Sequence, residues 1–338
     1  MSTMTAEYDP RNLHLPSEEL VQSGHLACPG CGAVIGMRIA LKALGENTVV
    51  VIPACCFAVL NGAYPFSALK VPVLNVAFAT AGISGSGIRA AFEMQGREDV
   101  NILVWAGDGG TFDIGLQSLS GAVERNDNMI YVCYDNEAYM NTGIQRSSAT
   151  PYGAWTTTTP AISPKSEPKK NIVEIMAAHG IPYAATASIG YPEDFFRKMQ
   201  KAKATPGSKF IHLWVSCPTG HKSEERNSVK IARLAVETGV FPLYEVENGI
   251  RYTINHRPAF TNLADYLNLQ GRFRHLHEQQ MDNMRLNIES EWKRLEAKVE
   301  IGRRLEPELQ AAQAAAPEEC ALPLPAQYAA EPSLIRSR

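Results

Sequence analysis

The chain contains no uninterrupted apolar run approaching the ~18 residues that a membrane span requires. Its opening stretch, MSTMTAEYDPRNLHLPSEEL, carries acids and prolines where a secretory signal needs an apolar segment. There is no excess of basic residues. The formal net charge is -3, and no basic cluster is interleaved with aromatics as a nucleic-acid surface would need. No segment repeats. These absences lead us to expect a cytoplasmic protein without membrane or nucleic-acid partners. What remains is the composition of an ordinary globular protein, 45% hydrophobic and 20% charged. The 338 residues suffice for one large domain or two smaller ones with a filled core.

Cysteine is the exception, with 7 residues in uneven groups. Cys28 and Cys31 form a CPGC, Cys55 and Cys56 are adjacent, Cys217 precedes Pro218, and Cys133 and Cys320 stand alone. In a reducing compartment metal or redox work explains such thiols better than disulfides do. A lone CxxC fits zinc, a redox dithiol or an iron–sulfur cluster, and zinc would need two further Cys or His ligands.

Short apolar or β-branched runs at 48–53, 72–78, 101–106, 129–134, 182–188 and 209–216 read as strands, most of them buried on both faces. Helical patterns at 33–44, 85–95, 112–124, 171–179 and 192–204 lie between them. Alternation of this kind predicts an α/β fold, a doubly wound and mostly parallel sheet covered by helices. The Thr-, Ser- and Pro-rich stretch 143–170 is a long loop, which in compact domains is functional or disordered. IARLAVETG then reads as a helix, LYEVENGIRYTI as two strands joined around Asn248-Gly249, and 274–303 as a charged helix. The expected division is an arm over 1–24, an α/β domain over 25–260, a helical extension over 261–309 and an Ala/Pro-rich tail over 310–338.

Ligands of open parallel sheets gather beyond the carboxyl ends of the strands. Four features fall there: Cys55-Cys56, Gly107-Asp108-Gly109-Gly110, Asp135-Asn136-Glu137-Ala138 and Cys217-Pro218. A Gly-Asp-Gly-Gly turn lets backbone approach a phosphate, and a helix starting at Thr111 would offer amides to an anion. Asp108 makes sense there if a hard cation such as Mg²⁺ bridges carboxylate and diphosphate. Taken alone, GDG is also a plain strand-to-helix turn with a solvated acid. Asn136, 29 positions after Gly107 and ending the next strand, would bring an amide oxygen to the same cation.

GDG followed at this distance by Asn resembles the diphosphate-and-magnesium signature of thiamine-diphosphate enzymes. VCYDNEAYMNTGIQRSSATPYGAWTTT (132–158) resembles, more specifically, the cofactor segment of pyruvate:ferredoxin oxidoreductases. So do CPGCG at 28–32, AYPFSALKVP at 63–72, AGDGGTFDIGLQSLSGAVER at 106–125 and CPTG at 217–220. The resemblance runs from about His25 to Gly249 and is to the β-type subunit of the pyruvate/2-oxoacid:ferredoxin oxidoreductase family. It implies the diphosphate-binding type of thiamine fold. Asp108, the Asn136 side chain and the Ala138 carbonyl would bind Mg²⁺. Gly107, Gly109, Gly110 and Thr111 would line the diphosphate, and Asn141 and Thr142 would lie beside the thiazolium and the 2-oxoacid. The activating glutamate of the family belongs to the α-type subunit, so Glu137 is read as a local structural acid.

The same resemblance implies a [4Fe–4S] cluster on Cys28, Cys31, Cys56 and Cys217, Cys56 being chosen because it stands 25 positions after Cys31. Cys55 is then a backing or packing thiol and Cys133 a core residue. GISGSG at 82–87 lacks the GxGxxG order of a nucleotide loop and reads as close helix packing, near the cofactor or not. His25 and His221 adjoin the implied ligands and either back them or, as the default reading, are surface histidines. Arg146 meets an anion or fixes its loop.

The implied reaction is oxidative decarboxylation of a 2-oxoacid to acyl-CoA and CO2, with electrons passing to ferredoxin or a flavin or NAD partner. The implied partners are an α-type subunit completing the thiamine site and γ/δ-type subunits with ferredoxin-like clusters, since the chain shows no CxxCxxCxxxC of its own. Pyruvate enzymes resemble TGCxEVxTTPYPxTAWK where this chain reads ACCFAVLNGAYPFSALK. The smaller Gly62, Ala63 and Leu69 either admit a larger acid, aryl or branched, such as phenylglyoxylate, or are packing changes. The rival readings are a thiamine enzyme without redox function and a zinc-stabilised assembly subunit.

Overall fold

The structure, a computed structural model, describes residues 15–315. Its strands are β1 (Thr48–Pro53), β2 (Val73–Val76), β3 (Asn101–Gly107), β4 (Ile130–Asp135), β5 (Tyr183–Ser188), β6 (Lys209–Trp214), β7 (Tyr244–Glu247) and β8 (Arg251–Ile254). They form one sheet in the order β2-β1-β3-β4-β6-β5-β7-β8. The first six are mutually parallel, while β7 and β8 run antiparallel at one edge. Chain order reverses at β1, whose neighbours are β2 and β3. A topological switch point therefore opens between β1 and β3.

The helices are α1 (Gly32–Leu44), α2 (Cys56–Leu60), α3 (Ala81–Met94), α4 (Leu116–Glu124), α5 (Ile172–Ala177), α6 (Pro192–Ala204), α7 (Pro218–His221), α8 (Ser228–Glu237), α9 (Leu263–Leu267) and α10 (Glu278–Ala315). Side chains of β3 alternate between two cores, as a strand buried on both faces must. Leu103 and Trp105 join α1, α6, α8 and α9, whereas Ile102, Val104 and Ala106 join residues of α4, α5 and α10. This is the doubly wound α/β arrangement expected. The edge strand β2 departs from the expectation of burial, having its middle residues Leu74 and Asn75 exposed.

Residues beyond 260 are built into these cores rather than hung from them. Leu263, Tyr266 and Leu267 enter one, and Trp292, Leu295 and Val299 of α10 enter the other. The helix expected over 274–303 begins at Glu278 and runs to Ala315, so its backbone passes the expected tail boundary at 310. The rest of the expected tail, with Cys320, lies outside the described residues, as do the first 14 of the expected arm. At the near end of that arm Leu20 and Val21 are core residues, and Val21 bridges to Leu69. The β7–β8 connection holds Asn248 and Gly249 at positive φ (52° and 69°), a conformation that glycine adopts freely and asparagine more readily than most residues.

GISGSG forms the first turns of α3, where a methyl group on Gly82 would stand 2.7 Å from the Ser118 carbonyl oxygen of α4. Backbone meets backbone there, which settles that motif as close helix packing. Gly82→Ala is expected to lower stability by about 1–3 kcal/mol through overpacking, read as a fall in the thermal unfolding midpoint. An unchanged midpoint would mean that the two helices part freely.

Candidate functional site

The carboxyl ends of β1, β3, β4 and β6 lie side by side, and the register pairs Gly107 with Tyr134 and Asp135 with Trp214. All four sequence features therefore reach one rim. A cleft of about 110 Å³ opens at the switch point, walled by Cys55 and Cys56 on one side and Gly107 to Gly110 on the other. Asn136, Ala138, Asn141 and Thr142 close it, together with Phe78, Tyr134, Tyr139 and Met140.

After β3 the chain makes a π-helical turn, Gly109–Asp113, before α4. The helix start expected at Thr111 is thus two residues early and wider than an α turn, a distortion often found at functional sites. Thr111 does not face the cleft. Its hydroxyl is buried, donating to the Gly107 carbonyl at 2.8 Å and paired with the Tyr131 hydroxyl at 3.2 Å. The glycines have an additional reason to be glycine. A methyl on Gly109 would stand 2.5 Å from the Tyr139 ring, and one on Gly110 3.2 Å from Phe78. Those two rings meet edge to face at 5.8 Å and form the floor against which the turn lies.

Asp108 is buried and accepts the Ser147 hydroxyl on Oδ2 at 2.5 Å. Its other oxygen faces the Asn136 amide. As placed, the amide oxygen of Asn136 lies 3.0 Å from Asp108 Oδ1 and 3.1 Å from the Ala138 carbonyl oxygen, with no donor among the three. Turning the amide over would convert both contacts into hydrogen bonds. Left as it is, the trio is an all-oxygen donor set. Neighbouring ligands of an octahedral ion bound at 2.0–2.1 Å stand about 2.9 Å apart, so these two spacings suit a hard cation such as Mg²⁺ when the amide oxygen faces inward, and a hydrogen-bonded amide when it is turned over.

The electrostatics point the same way. Burial, and then the charge of Asp135, push the Asp108 carboxyl well above its ordinary range. Burial also acts on Asp135, but Lys169 and His212 outweigh it and hold that carboxyl low. His212 Nε2 is 2.7 Å from Asp135, and burial keeps the imidazole below its usual pKa. Glu137, expected as a structural acid, is buried between Lys169 at 2.9 Å and Arg272 at 2.5 Å. Three buried carboxylates thus face the buried Arg272 and the half-buried Lys169, both of which contact Glu137, and Asp108 is the one with neither in direct contact. Lys169 belongs to the long loop 143–170, which is ordered and packs behind the site.

The segments that carry Cys28, Cys31, Cys56 and Cys217 are joined by backbone hydrogen bonds. Gly32 N–H donates to the Ser216 carbonyl at 3.0 Å, tying the Cys28–Cys31 turn to the Cys217 loop. Leu26 N–H donates to Leu60 at 3.1 Å, tying the same turn to α2. Cys31 caps α1 and Cys217 caps α7, where backbone amides of Val34 and Gly220 favour a thiolate, and Cys56 is the first residue of α2. Burial nevertheless raises the Cys31 and Cys56 thiols and pushes Cys217 up to about 11, and the charges of Cys31 and Cys217 add to the rise at Cys56. Among the described residues no group of three or more His, Cys, Asp or Glu is drawn close enough to hold a single ion. Cys133 is buried in β4, as expected of a core residue. Cys55 shares the cleft wall with Cys56.

Other expectations are corrected here. His221 is fully buried, not a surface residue; its Nε2 lies 3.1 Å from the Asn136 carbonyl oxygen, linking the cysteine loop to the Asp108 site. Gly62, Ala63 and Leu69 do not line the cleft, and Leu69 packs in the core beside Val21. Arg146 pairs with Glu167 at 3.3 Å and fixes its own loop. Sequence reading missed Phe78, Tyr139, Ser147, Lys169, His212 and Arg272. Only Tyr139 and Ser147, inside the 132–158 segment, carried any signal.

Residues 62–213 match the family profile "thiamine pyrophosphate enzyme, C-terminal TPP binding domain". The chain is 51% identical over 282 residues to pyruvate synthase subunit PorB of Methanothermobacter thermautotrophicus, covering 82% of this chain and 98% of that one. It is 48% identical over 302 residues to ketoisovalerate oxidoreductase subunit VorB of Pyrococcus horikoshii, covering 86% and 97%. Among solved structures, a 2-oxoglutarate:ferredoxin oxidoreductase from Magnetococcus marinus shares the fold, with a TM-score of 0.52 at 22% identity over 65% of this chain and 81% of that one.

Asp108→Asn keeps the shape of the site and removes its unbalanced charge. A carboxyl whose pKa is raised by folding weakens the fold as pH climbs above its unfolded value of about 4. In the presence of a chelator the variant is therefore expected to melt above wild type at pH 7–8, with the gain vanishing below pH ~4. A lower midpoint at pH 7 would show that the protein alone compensates Asp108.

Proposed function

This chain belongs to the β subunits of the 2-oxoacid:ferredoxin oxidoreductases, and from that membership we propose that it carries both the diphosphate half of a thiamine site and an iron–sulfur relay beside it. Asp108, the Asn136 amide oxygen and the Ala138 carbonyl hold Mg²⁺ in this reading. Gly107, Gly109 and Gly110, which line the cleft, receive the diphosphate at the start of the π turn, while Thr111, expected to share that role, lies behind them. Asn141 and Thr142 stand at the exposed lip of the cleft beside the thiazolium. The Thr142 hydroxyl, which donates to Gln145 Oε1 at 2.6 Å, is held in place from its own loop.

Cys28, Cys31, Cys56 and Cys217 carry a [4Fe–4S] cluster in the same reading. Four sulfurs on four different irons stand wider apart than the ligands of one ion, which suits thiols that neighbour one another without forming a single-ion site. Metal binding would supply the deprotonation that burial resists. The observation that carries the proposal is the double position of Cys56. It walls the cleft that holds Asp108, and its thiol feels the charges of both Cys31 and Cys217. A thiamine enzyme without redox function needs no such neighbour.

Thiamine diphosphate bound at Gly107, Gly109 and Gly110 would supply the electron sink for decarboxylation of a 2-oxoacid, and a cluster on Cys28, Cys31, Cys56 and Cys217 would supply one-electron chemistry, with coenzyme A as acyl acceptor. The protein's own part is to orient, to neutralise and to exclude water. At about 110 Å³ the cleft is smaller than the ~300 Å³ at which pockets for small ligands begin. An α-type subunit would complete it, with γ/δ-type subunits or ferredoxin receiving the electrons. No helix among the described residues is long and apolar enough to cross a membrane, and we place the reaction in the cytoplasm. For substrate we propose a short aliphatic 2-oxoacid, pyruvate first. A branched acid is the second reading, favoured by the 48% identity to a ketoisovalerate oxidoreductase subunit. The case for an aryl acid such as phenylglyoxylate rested on Gly62, Ala63 and Leu69, which lie away from the cleft.

In the assembled complex, Asp108→Ala is expected to abolish Mg²⁺-dependent thiamine diphosphate binding; retained binding would restore the plain-turn reading. Cys56→Ser is expected to remove the visible absorption that bleaches on reduction, and Cys55→Ser to keep it. A colourless wild type loaded with zinc after anaerobic purification would sink the cluster. Dye reduction with coenzyme A and a panel of 2-oxoacids should be fastest with pyruvate or its branched homologues.

A further inference from the structure

The loop that presents Asn136 and Ala138 turns on a residue that rarely adopts such backbone, Glu137 at φ 67°. No glycine relieves that position, so side-chain contacts must hold it. They are unusually complete. The Glu137 carboxylate is 2% exposed and is gripped by Lys169 on one oxygen and by Arg272 on the other. Its carbonyl accepts the Thr150 hydroxyl at 2.7 Å, and Lys165 donates to the Thr150 carbonyl at 2.5 Å.

Arg272 is itself immobilised. Its Nε and Nη2 donate to Gln270 Oε1 at 3.1 and 2.8 Å, its guanidinium lies 4.8 Å from the Phe273 ring centre, and its carbonyl accepts Trp155 N–H at 3.0 Å. A planar fork held on several sides fixes direction, which the single mobile ammonium of lysine does not. Buried ion pairs contribute little net stability, because desolvation offsets the attraction; what they do supply is geometry. Here the geometry they define is that of the magnesium loop.

We propose that Arg272, with Lys169, is a positioning residue for the cation site, holding Glu137 in its left-handed turn so that the Asn136 amide oxygen and the Ala138 carbonyl bear on Asp108. The inference rests on the magnesium reading above. Arg272 is not among the proposed ligands and bears on the cation site through Glu137, although its charge is also felt at His221 and Cys217. It comes from the segment after residue 260, which carries no motif of its own.

The test uses the assembled complex, freed of magnesium by chelation and titrated with Mg²⁺ at fixed thiamine diphosphate, with binding followed by calorimetry. Arg272→Met is expected to raise the Mg²⁺ concentration for half-maximal binding about 10–100-fold, the usual effect of losing a partner behind a metal ligand. Arg272→Lys should recover part of that loss. A role in stability alone would lower the thermal midpoint and leave the magnesium requirement where it was, so an unshifted requirement in Arg272→Met overturns the proposal. Where Arg272→Met does not assemble, Glu137→Gln, similar in shape and uncharged, is expected to show the same shift, and an unshifted value overturns the proposal equally. Magnesium-independent binding by the wild type would sink the underlying reading as well, and is visible before any variant is made.

Discussion

Two carboxylates buried at the ends of neighbouring strands, Asp108 after β3 and Asp135 at the end of β4, govern the chemistry of the rim. Charges removed from water must be paired, or neutralised by protonation. Asp135 is paired, with Lys169 and His212. Asp108 has the Ser147 hydroxyl and, among the described residues, no cation in direct contact, so it is the less compensated of the two. Several otherwise unconnected features follow from this difference. The long loop must be ordered to deliver Ser147 and Lys169, β6 must carry a buried histidine, and the segment after residue 260 must fold back over the site.

The second constraint is proximity. Backbone hydrogen bonds join the Cys28–Cys31 turn to both the Cys217 loop and α2, and His221 joins that assembly to the Asn136 carbonyl. The thiols and the acidic rim are thus parts of one rigid unit.

Much of this was legible in the sequence because it is local. Strand ends, Gly-Asp-Gly-Gly, a following Asn and a CPGC are each written in a few consecutive residues, and parallel strands bring their ends together by topology. What escaped was written across distance. Lys169 and Arg272 reach Glu137 from 32 and 135 residues away, and nothing in the run of residues around either one marks it as a partner. The π turn was read as an α-helix start because hydrophobic periodicity does not distinguish the two. His221 was read as exposed because a histidine after Cys-Pro-Thr-Gly has no apolar neighbours in sequence, although Trp214 lies against it in space. The substrate argument from Gly62, Ala63 and Leu69 failed for a similar reason, since residue size says nothing about which way a loop faces.

The reach of Arg272 back to Glu137 also has a meaning in time. A ribosome delivers the chain from its amino end, so the whole parallel sheet emerges before the residue that completes the grip on Glu137. Until then one oxygen of that acid faces no guanidinium, and the bend it supports has half its clasp. The clasp on Glu137 is therefore closed only when about four-fifths of the 338 residues have been made, and the rim takes its final shape after the sheet that carries it.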